Sequence, residues 1–494
     1  MRDELIERLK NTFNETVVYK DLKKTNFFSS INLPCFMRDY LIQKFRLDDK
    51  QPDMDKIKKF INTYLPRSDQ WLAIKDKLIM DNEPVKILTK IKVDIDIKTA
   101  KVDFNLPDFK LKKGETIIKD AVWDKVKEHL TNDREVWGIV ELKYITEIVG
   151  KKEVGLIALK SFKKFSPYEV DLENFKEMRT YFTVQEWIDI ILGAVDYNPD
   201  GYNEINGYDA RACKFSMIKR LLPFIEKRIN IIELAPKGTG KSYLFGRLSK
   251  FGYLLSGGKI SRSNLFFNKQ KESKGLIFHY DFIGIDEIQT ISCDDQGDMR
   301  SVLKTYMEEG AYRGDKRSDT SFAGIVLLGN LDQEEMNVKG NLFSKLPTLF
   351  KESALLDRFH GFIEGWKIPR LNEDLKMTGF ALNTEYFTHI LHCLRDDITY
   401  RRIVDEIVVV PEKADTRDTE AIKRLTTGFL KLLFPSVRSA EDVDIDEFSE
   451  YCLEPAKNMR GIILYQLGLL DAEYRGKKIP NLKVVKKPKS SFVD

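Results

Sequence analysis

The chain has 494 residues, and at ~150 residues per domain this length predicts about three domains. Hydrophobic residues make up 42% of the sequence and charged residues 32%, a balance that excludes a disordered or fibrous chain. Because 81 Lys and Arg residues nearly offset 77 Asp and Glu residues, the net charge is only +4. A strongly basic protein is thereby excluded, and any nucleic-acid binding must depend on a local basic surface.

The cysteines and the apolar segments indicate the compartment. The five cysteines are odd in number, lie far apart and form no Cys-x-x-Cys pair, so a disulfide scaffold or a four-Cys zinc site is disfavoured. The N-terminus, MRDELIERLKNTFNE, is charged from its second residue and lacks the apolar region of a signal peptide. The sequence contains no run of about 18 apolar residues. We therefore expect a cytoplasmic protein with no membrane partner.

The N-terminal part, residues 1–200, is predicted to be an α+β domain with a small sheet. Residues 1–80 have apolar side chains at helical spacing, and the capping box of Thr183 and Glu186 predicts a helix over about 184–195. Alternation of apolar and polar residues predicts a hairpin and two further strands. These strands are predicted over 87–97, 102–106, 136–145 and 154–159. The pattern leaves open whether the sheet closes into a barrel.

The sequence pattern changes after the turn-forming residues near 197–208. Short apolar runs alternate with helical patterns over 205–370, which predicts buried parallel strands in an α/β core. The runs are Ile229–Leu234, Leu276–Ile285 and Ala323–Leu328. Residues 371–470 are predicted to form a helical lid, and the lysine-rich residues 471–494 a mobile tail. The fold class is therefore a multi-domain α/β protein.

The strongest motif is APKGTGKS, residues 235–242, between a predicted strand and a predicted helix. That context is typical of a P-loop, in which backbone N–H groups surround phosphate. The backbone groups would come from Gly238, Thr239 and Gly240. Lys241 would reach the terminal phosphates and Ser242 would ligate Mg²⁺. The sequence thus predicts a site for ATP and Mg²⁺.

Polar residues follow the next two predicted strands. In DFIGIDE, Asp286 would organise Mg²⁺ and Glu287 would activate the attacking water. Asn330 ends a third apolar run and suits the positioning of that water. An asparagine at a strand end is also a common turn former, so the two interpretations of Asn330 stay open.

Two arginines follow the predicted core strands. Arg358 lies in ALLDRFH, where oligomeric ATPases have an arginine that reaches the γ-phosphate of the neighbouring subunit. A local salt bridge with Asp357 is the alternative. Arg417 begins a predicted helix, and a basic residue there opposes the helix dipole. This unfavourable position favours a functional contact with nucleotide.

Two other groups of residues suggest weaker interpretations. Arg313, Lys316 and Arg317 lie in GAYRGDKRSD, which could track DNA phosphates or be an ordinary solvated loop. A face of one predicted helix combines two histidines and a cysteine, but three ligands without a fourth do not predict a metal site. These residues are His389, His392 and Cys393. We expect an ordinary helix there.

The order of the motifs resembles the BrxL family, the Lon-like AAA+ ATPases of bacterial BREX phage-exclusion islands. The similarity includes APKGTGKS, SGGK at 256–259 leading into NLFFN, DFIGIDE, IVLLGN and ALLDRFH. It extends upstream through FTVQEWIDIIL and covers most of residues 1–470. The stretches from SGGK to NLFFN and from LLDRFH to GWKIP are its most specific parts.

The resemblance implies an AAA+ module with an N-terminal domain like that of MCM helicases. It also implies assembly into hexameric rings or stacked pairs of rings, double-stranded DNA in the pore, and other BREX proteins as partners. By motif, Lys241 and Ser242 would be Walker A, Asp286 and Glu287 Walker B, Asn330 sensor 1, Arg358 the arginine finger and Arg417 sensor 2. Longer members carry a C-terminal Lon-type protease-like domain, for which this chain leaves no room, so we expect no protease activity.

Three functional hypotheses follow. The first is a ring-forming ATPase that binds or translocates double-stranded DNA in phage defence. The second is an ATP-driven protein remodeller or unfoldase, whose pore would favour an aromatic–apolar loop over Lys and Arg. Because the aromatic Tyr312 lies beside the basic Arg313, the sequence does not decide between the first two hypotheses. The third is a DNA clamp in which ATP controls assembly without translocation.

Overall fold

The computed structural model describes residues 3–23, 26–31, 33–96, 101–109, 111, 114–130, 135–149, 152–203, 205, 207–268, 273–313 and 318–485. The chain divides into two compact units, Leu41–Glu169 and a larger unit of Met1–Tyr40 with Val170–Asp494. Among the described residues, no helix is both long and apolar enough to cross a membrane.

The N-terminal segment contains one strand among its helices. Its elements are α1 (Asp3–Phe13), β1 (Val17–Asp21), α2 (Asn26–Ser30) and α3 (Cys35–Lys44). Val17 and Val18 are buried, and β1 pairs antiparallel with residues 378–382 near the other end of the chain. The prediction that residues 1–80 are helical is therefore wrong at β1. A five-residue strand paired with a segment 360 positions away leaves no local period to detect.

The smaller unit, called the barrel unit here, is an α+β structure. Its elements are α4 (Met54–Tyr64), α5 (Trp71–Ile79), β2 (Val85–Asp96), β3 (Lys101–Asn105), β4 (Thr116–Ile117), α6 (Asp120–Leu130), β5 (Val136–Val149) and β6 (Lys152–Lys164). The strand order is β3-β2-β5-β6-β4, and only β4 and β6 run parallel. The predicted hairpin and the two further strands are confirmed, and the last two strands are longer than expected.

The sheet of the barrel unit closes on itself. The Ile118 N–H donates to the Val102 carbonyl at 2.7 Å, and the Thr116 hydroxyl donates to the Phe104 carbonyl at 2.5 Å. These bonds join the segment of β4 to β3, so the two ends of the strand order meet. The enclosed core is lined by alternate residues of the strands, because successive side chains point to opposite faces. It includes Ile87, Ile91, Val93, Val102, Phe104, Val140, Leu142, Ile157 and Leu159.

The core of the larger unit is a parallel sheet covered by helices. The preceding helices are α7 (Leu172–Arg179), α8 (Val184–Ala194), α9 (Ala210–Lys219) and α10 (Leu222–Ile225), and α8 has the predicted capping box. The next elements are β7 (Ile231–Ala235), α11 (Lys241–Arg247), β8 (Gly252–Ser256), α12 (Arg262–Leu265), β9 (Phe267–Asn268), β10 (Ser273–Lys274), β11 (Phe282–Asp286), α13 (Gln296–Glu309), β12 (Ala311–Arg313), β13 (Ser318–Thr320), β14 (Gly324–Asn330), α14 (Ser353–Leu356) and β15 (Gly361–Glu364).

The five-stranded parallel sheet has the order β15-β7-β14-β11-β8. All three predicted strands are present, but the segment Leu276–Phe278 is a helical turn and not the start of a strand. All carboxyl ends of the strands lie at one edge, called the carboxyl edge, and all amino ends at the other, called the amino edge. Ligands of open parallel sheets bind outside the carboxyl ends.

The last part of the larger unit is mostly helical. It contains β16 (Thr378–Leu382), α15 (Thr384–Leu394), α16 (Thr399–Ile407), β17 (Val408–Val409), α17 (Thr416–Leu433), α18 (Ile445–Phe448), α19 (Glu454–Leu470) and β18 (Lys483–Val484). Because β1 pairs with β16, residues 1–40 join this unit. The observed division thus differs from the predicted N-terminal domain of residues 1–200.

Candidate nucleotide-binding site

The APKGTGKS motif forms the loop between β7 and α11 at the carboxyl edge. Gly238 and Gly240 have φ of 84° and 79°, a left-handed conformation that favours glycine. Space also requires glycine, because a Cβ at Gly240 would lie 2.6 Å from the Tyr197 hydroxyl. The strand, the loop and the helix stand in the order that the sequence predicted.

Lys241 and Asn330 meet beside this loop. The Lys241 ammonium donates to the Asn330 Oδ1 at 3.2 Å, the Pro236 carbonyl at 3.2 Å and the Ala235 carbonyl at 3.5 Å. Lys241 is only 5% exposed, and burial lowers its pKa. These three partners are neutral oxygens, so a phosphate group could add the negative charge that a buried ammonium requires.

Ser242, near the amino end of α11, contacts Asp286 at the carboxyl end of β11. The Ser242 hydroxyl donates to the Asp286 Oδ2 at 2.5 Å, and the backbone N–H of Glu287 donates to the Asp286 Oδ1 at 2.9 Å. A hydroxyl and a carboxylate are hard oxygen ligands of the kind that Mg²⁺ prefers. The residues therefore fit the predicted role of a Mg²⁺ site.

Glu287 occupies an unusual backbone position. Its φ is 49°, which is rare for a residue with a side chain, and the residue is exposed. A Cβ placed at Gly257 would lie 3.2 Å from the Glu287 Oε2, so the carboxylate extends past the turn that follows β8. Such strain is often found at functional sites.

Gln289 is a site residue that the sequence did not predict. Its Nε2 donates to the Asn330 carbonyl at 2.8 Å, and its Oε1 accepts from the Asn330 N–H at 3.4 Å. This pair of bonds fixes the end of β14, so Asn330 is held towards Lys241. A lone glutamine three residues after Asp286 carries no signal that would have identified this role.

A buried ion pair stabilises the P-loop through contacts with Thr239. Arg220 and Glu233 are both fully buried, and the Arg220 Nε donates to the Glu233 Oε2 at 3.0 Å. The same guanidinium donates to the Thr239 carbonyl at 2.8 Å through Nη1 and to its hydroxyl at 3.3 Å through Nη2. A charged residue within the apolar run IIELA signals a buried partner, although the sequence does not identify Arg220.

The chain returns to the loop after the last core strand. The Leu371 N–H donates to the Gly238 carbonyl at 2.8 Å, and the Tyr197 hydroxyl donates to the Gly240 carbonyl at 3.4 Å. A cavity of about 200 Å³ opens next to these contacts, with Tyr197, Tyr243, Arg247 and Leu371 among its lining residues. These two hydrogen bonds hold the carbonyl groups of Gly238 and Gly240 beside the cavity.

Arg358 and Arg417 lie together, but on the opposite edge of the sheet. Glu308 accepts hydrogen bonds from the Nη2 atoms of Arg358 and Arg417, the second at 3.4 Å. Arg417 also donates to the Asp357 Oδ2 at 2.5 Å. Burial disfavours the ionised form of Asp357, yet the charges of Arg460 and Arg417 hold the pKa of its carboxyl below the usual value.

The strand register fixes the position of this arginine pair. The His360 N–H donates to the Asn230 carbonyl at 2.8 Å, and Gly361 stands opposite Ile231, the first residue of β7. Arg358 is therefore at the amino edge, whereas the P-loop follows the last residue of β7. The five residues of β7 separate the two edges by about 15 Å of strand. The structure brings Arg358 and Arg417 together and does not bring either to the P-loop of its own chain.

The remaining predicted residues lie elsewhere. Arg313 is exposed at the end of β12 and donates to Glu309 at 2.6 Å, while Lys316 and Arg317 lie outside the described residues. His392 bonds through Nδ1 to the Asp281 Oδ2 at 2.7 Å and stacks on Phe251. The described residues contain no cluster of three or more His, Cys, Asp or Glu side chains that could hold a metal ion, and His389, His392 and Cys393 form none.

Comparison with known proteins identifies two family models in the chain. The model described as "Lon-like protease BrxL-like, ATPase domain" matches residues 157–479, which include every predicted site residue. The model described as "BREX system Lon protease-like protein BrxL N-terminal" matches residues 11–144.

Three relatives extend this result. The "Lon-like protease BrxL" of Escherichia coli O9:H4 (strain HS) is 27% identical over 472 residues, which are 93% of this chain and 64% of that protein. The protein of the same description from Bacillus cereus (strain H3081.97) is 25% identical over 481 residues, 94% of this chain and 68% of that protein. "Uncharacterized protein ORF426" of Acidianus filamentous virus 1 is 24% identical over 323 residues, 60% of this chain and 72% of that protein. The chain thus spans about two thirds of the length of the two BrxL proteins.

Proposed function

Because the chain belongs to the family of Lon-like BrxL proteins and contains its ATPase domain, we propose that it is a ring-forming AAA+ ATPase that binds double-stranded DNA in BREX phage defence. The observation that carries this proposal is the separation of two half-sites. Lys241, Ser242 and Asp286 lie at the carboxyl edge, and Arg358 lies at the amino edge of the same sheet. One chain cannot bring all of these groups to one ATP, whereas two neighbouring chains can.

The carboxyl edge supplies the groups for ATP hydrolysis. Lys241 binds the terminal phosphates, and its present neutral partners are exchanged for phosphate oxygens. Glu287 accepts a proton from the attacking water, while Asn330 orients that water. Ser242 and Asp286 would hold Mg²⁺, which neutralises phosphate charge when bound. The bonds from Gln289 to Asn330 keep the water-orienting amide in place.

The amino edge supplies positive charge to the ATP of a neighbouring subunit. Arg358 stabilises the charge that develops on the transferred phosphate, and Arg417 lies close enough to act on the same group. Such a head-to-tail contact repeats around a closed ring. A hexamer, or a stacked pair of hexamers, is the form that we propose.

The barrel unit supports the choice of DNA as partner. Residues 41–169 contain 27 Lys and Arg against 22 Asp and Glu, so this unit carries +5, whereas the rest of the chain carries −1. A closed five-stranded barrel with one parallel pair has the arrangement of an OB fold, a class of barrel that binds oligonucleotides. Local positive charge on such a unit favours contact with phosphates.

The hairpin of β12 and β13 favours DNA over polypeptide. Tyr312 is only 2% exposed and stacks on Phe266, so this aromatic ring is not presented to a partner. Arg313 beside it is exposed. A remodeller would be expected to present an aromatic or apolar side chain at this position, and a DNA-binding pore a basic one.

The test measures the ATPase rate with and without double-stranded DNA on protein whose assembly is sized by mass photometry. We expect hexamers or larger rings whose turnover rises with DNA. Glu287→Gln should assemble and bind ATP but lose about 10²-fold or more of the turnover. Glu334→Gln, which removes an exposed carboxylate in the turn Gln333–Glu335, is the matched control and should keep the wild-type rate.

Other outcomes select the alternatives. Rings that ignore DNA and respond to unfolded protein would support the remodeller. Rings that bind DNA in an ATP-dependent manner without coupled turnover would support the clamp. Wild-type turnover in Glu287→Gln would refute the role of Glu287.

A further inference from the structure

One carboxylate holds both arginines of the amino edge. Glu308 lies in the last turn of α13, and its two oxygens are divided between Arg358 and Arg417. The side chain of Glu308 is 49% exposed and that of Arg358 is 15% exposed, so the contact can open to solvent without unfolding the core. Burial disfavours the ionised form of Glu308, yet the charge of Arg358 keeps the pKa of the carboxyl below its usual value.

The present contacts of Arg358 leave its guanidinium occupied within its own chain. Its Nη2 donates to Glu308 and its Nη1 to the Ala354 carbonyl, while its Nε is buried and has no hydrogen-bond partner among the described residues. A guanidinium that binds phosphate uses the same terminal N–H groups in a fork. Arg358 must therefore exchange Glu308 for phosphate before it can act on a neighbouring ATP.

Glu308 also stands directly before the β12–β13 hairpin. α13 ends at Glu309, Gly310 turns with φ of 73°, and β12 begins at Ala311. The Arg228 Nη1 donates to the Glu308 carbonyl at 3.3 Å. A Cβ at Gly310 would lie 2.8 Å from the same Arg228 Nη1. A displacement of the hairpin base therefore shifts the backbone that carries the Glu308 carboxylate.

We propose that Glu308 is a positioning residue that keeps Arg358 and Arg417 from the neighbouring phosphate until a ligand engages the β12–β13 hairpin. This inference rests on the proposed function, since it assumes that Arg358 acts on the ATP of another subunit. The contact is a partly exposed ion pair, which is weak enough to be exchanged for phosphate. Glu308 thus couples the DNA-binding hairpin to the arginine that completes the active site.

The first experiment compares Glu308→Gln and Glu308→Asp with the full wild-type chain in ATPase assays with and without double-stranded DNA. Glu308→Gln should raise the DNA-free kcat about fivefold with little change in KM, because the arginines are released without DNA. The ratio of DNA-stimulated to basal rate should fall towards 1. Glu308→Asp keeps the charge and should retain most of the stimulation.

Glu352→Gln is the matched control. Glu352 accepts from Lys304, also on α13, at 2.7 Å, so its substitution removes one ion pair of the same helix and leaves the arginines untouched. Its basal rate and its stimulation should equal those of the wild type. A basal rate of Glu308→Gln at or below the wild-type value would overturn the proposal.

A second measurement does not depend on turnover. Hydrogen exchange of residues 353–359 and 305–312 should be faster in Glu308→Gln than in the wild type, because the ion pair of Glu308 with Arg358 that joins the two segments is lost. Equal exchange in Glu308→Gln and the wild type would overturn the proposal even if the ATPase rates changed. If exchange is faster in Glu308→Gln but the wild-type protein hydrolyses no ATP, the proposed function is rejected, and with it the role of Glu308 in hydrolysis.

Discussion

The two edges of the parallel sheet hold their charged groups in different ways. At the carboxyl edge, Arg220 and Glu233 are both fully buried, and Arg220 donates a hydrogen bond to the Thr239 carbonyl of the P-loop. At the amino edge, Arg417 is 39% exposed and shares Glu308 with Arg358. The P-loop is held by a fully buried ion pair, whereas the ion pairs that Glu308 makes with Arg358 and Arg417 are partly exposed to water. This difference suggests a rigid loop that receives ATP and an exchangeable arginine pair that responds to a neighbour.

Removal of Arg358 should separate activity from stability most clearly. Arg358→Ala should reduce kcat about 10³-fold or more, because transition-state charge from the neighbour is lost. The free energy of unfolding should change by no more than about 1 kcal/mol, since the lost ion pair is partly exposed. ATPase assays and urea unfolding measure the two effects.

Arg300→Ala is the control for that change. Arg300 donates to Gln296 at 3.2 Å, within α13. Both its activity and its stability should stay near the wild-type values. An active Arg358→Ala protein would show that the amino edge takes no part in hydrolysis.

Substitution of Arg220 should lower the stability of the protein much more than substitution of Arg358. Arg220→Ala leaves the Glu233 carboxylate fully buried without its partner, so the free energy of unfolding should fall by about 3–5 kcal/mol. The double variant Arg220→Met, Glu233→Leu should recover most of that loss, because the buried charge is also removed. Urea unfolding of the three proteins checks this. If Arg220→Ala is as stable as Arg358→Ala, the proposed difference between the two edges is wrong.

The smallest effect is a pH dependence at the amino edge. Burial lowers the pKa of His360 well below 6.5, and its Nδ1 accepts from the Asn230 N–H at 2.9 Å. Below pH 6.5 the unfolded chain therefore binds a proton that the folded chain does not. Stability from this residue is present at neutral pH and is lost as the pH falls, by at most about 1.4 kcal/mol per pH unit.

His360→Asn isolates that contribution. The Asn oxygen can still accept a hydrogen bond but does not titrate in this range. Urea unfolding at pH 7.5, 6.5 and 5.5 should give a steeper loss of stability for the wild type than for the variant. Parallel profiles would contradict the assignment.

The sequence predicted the carboxyl edge more completely than the amino edge. The loop of Gly238–Ser242, the acidic end of β11 and Asn330 all follow apolar strands, so local order along the chain was enough to bring them together. The shared contacts of Arg358 and Arg417 depend on Glu308, which comes from a helix 50 residues earlier. No local pattern distinguishes that glutamate from the adjacent Glu309 on α13.

The remaining differences have a similar origin. The pairing of β1 with β16 joins segments more than 350 residues apart, so the first 40 residues could not be assigned to the ATPase unit from their own pattern. The closure of the barrel unit depends on the two-residue strand β4, which is too short to carry a period. Alternation predicted its longer strands because half of their side chains are buried.

The central claim is that one active site is built from two chains, and mixing two inactive variants tests it most directly. Glu287→Gln damages the carboxyl edge and Arg358→Ala the amino edge, so each protein alone should be inactive. In mixed rings about a quarter of the interfaces should combine two intact edges, and ATPase activity should return. A mixture as inactive as its parents, in rings verified to contain both variants, would contradict the account.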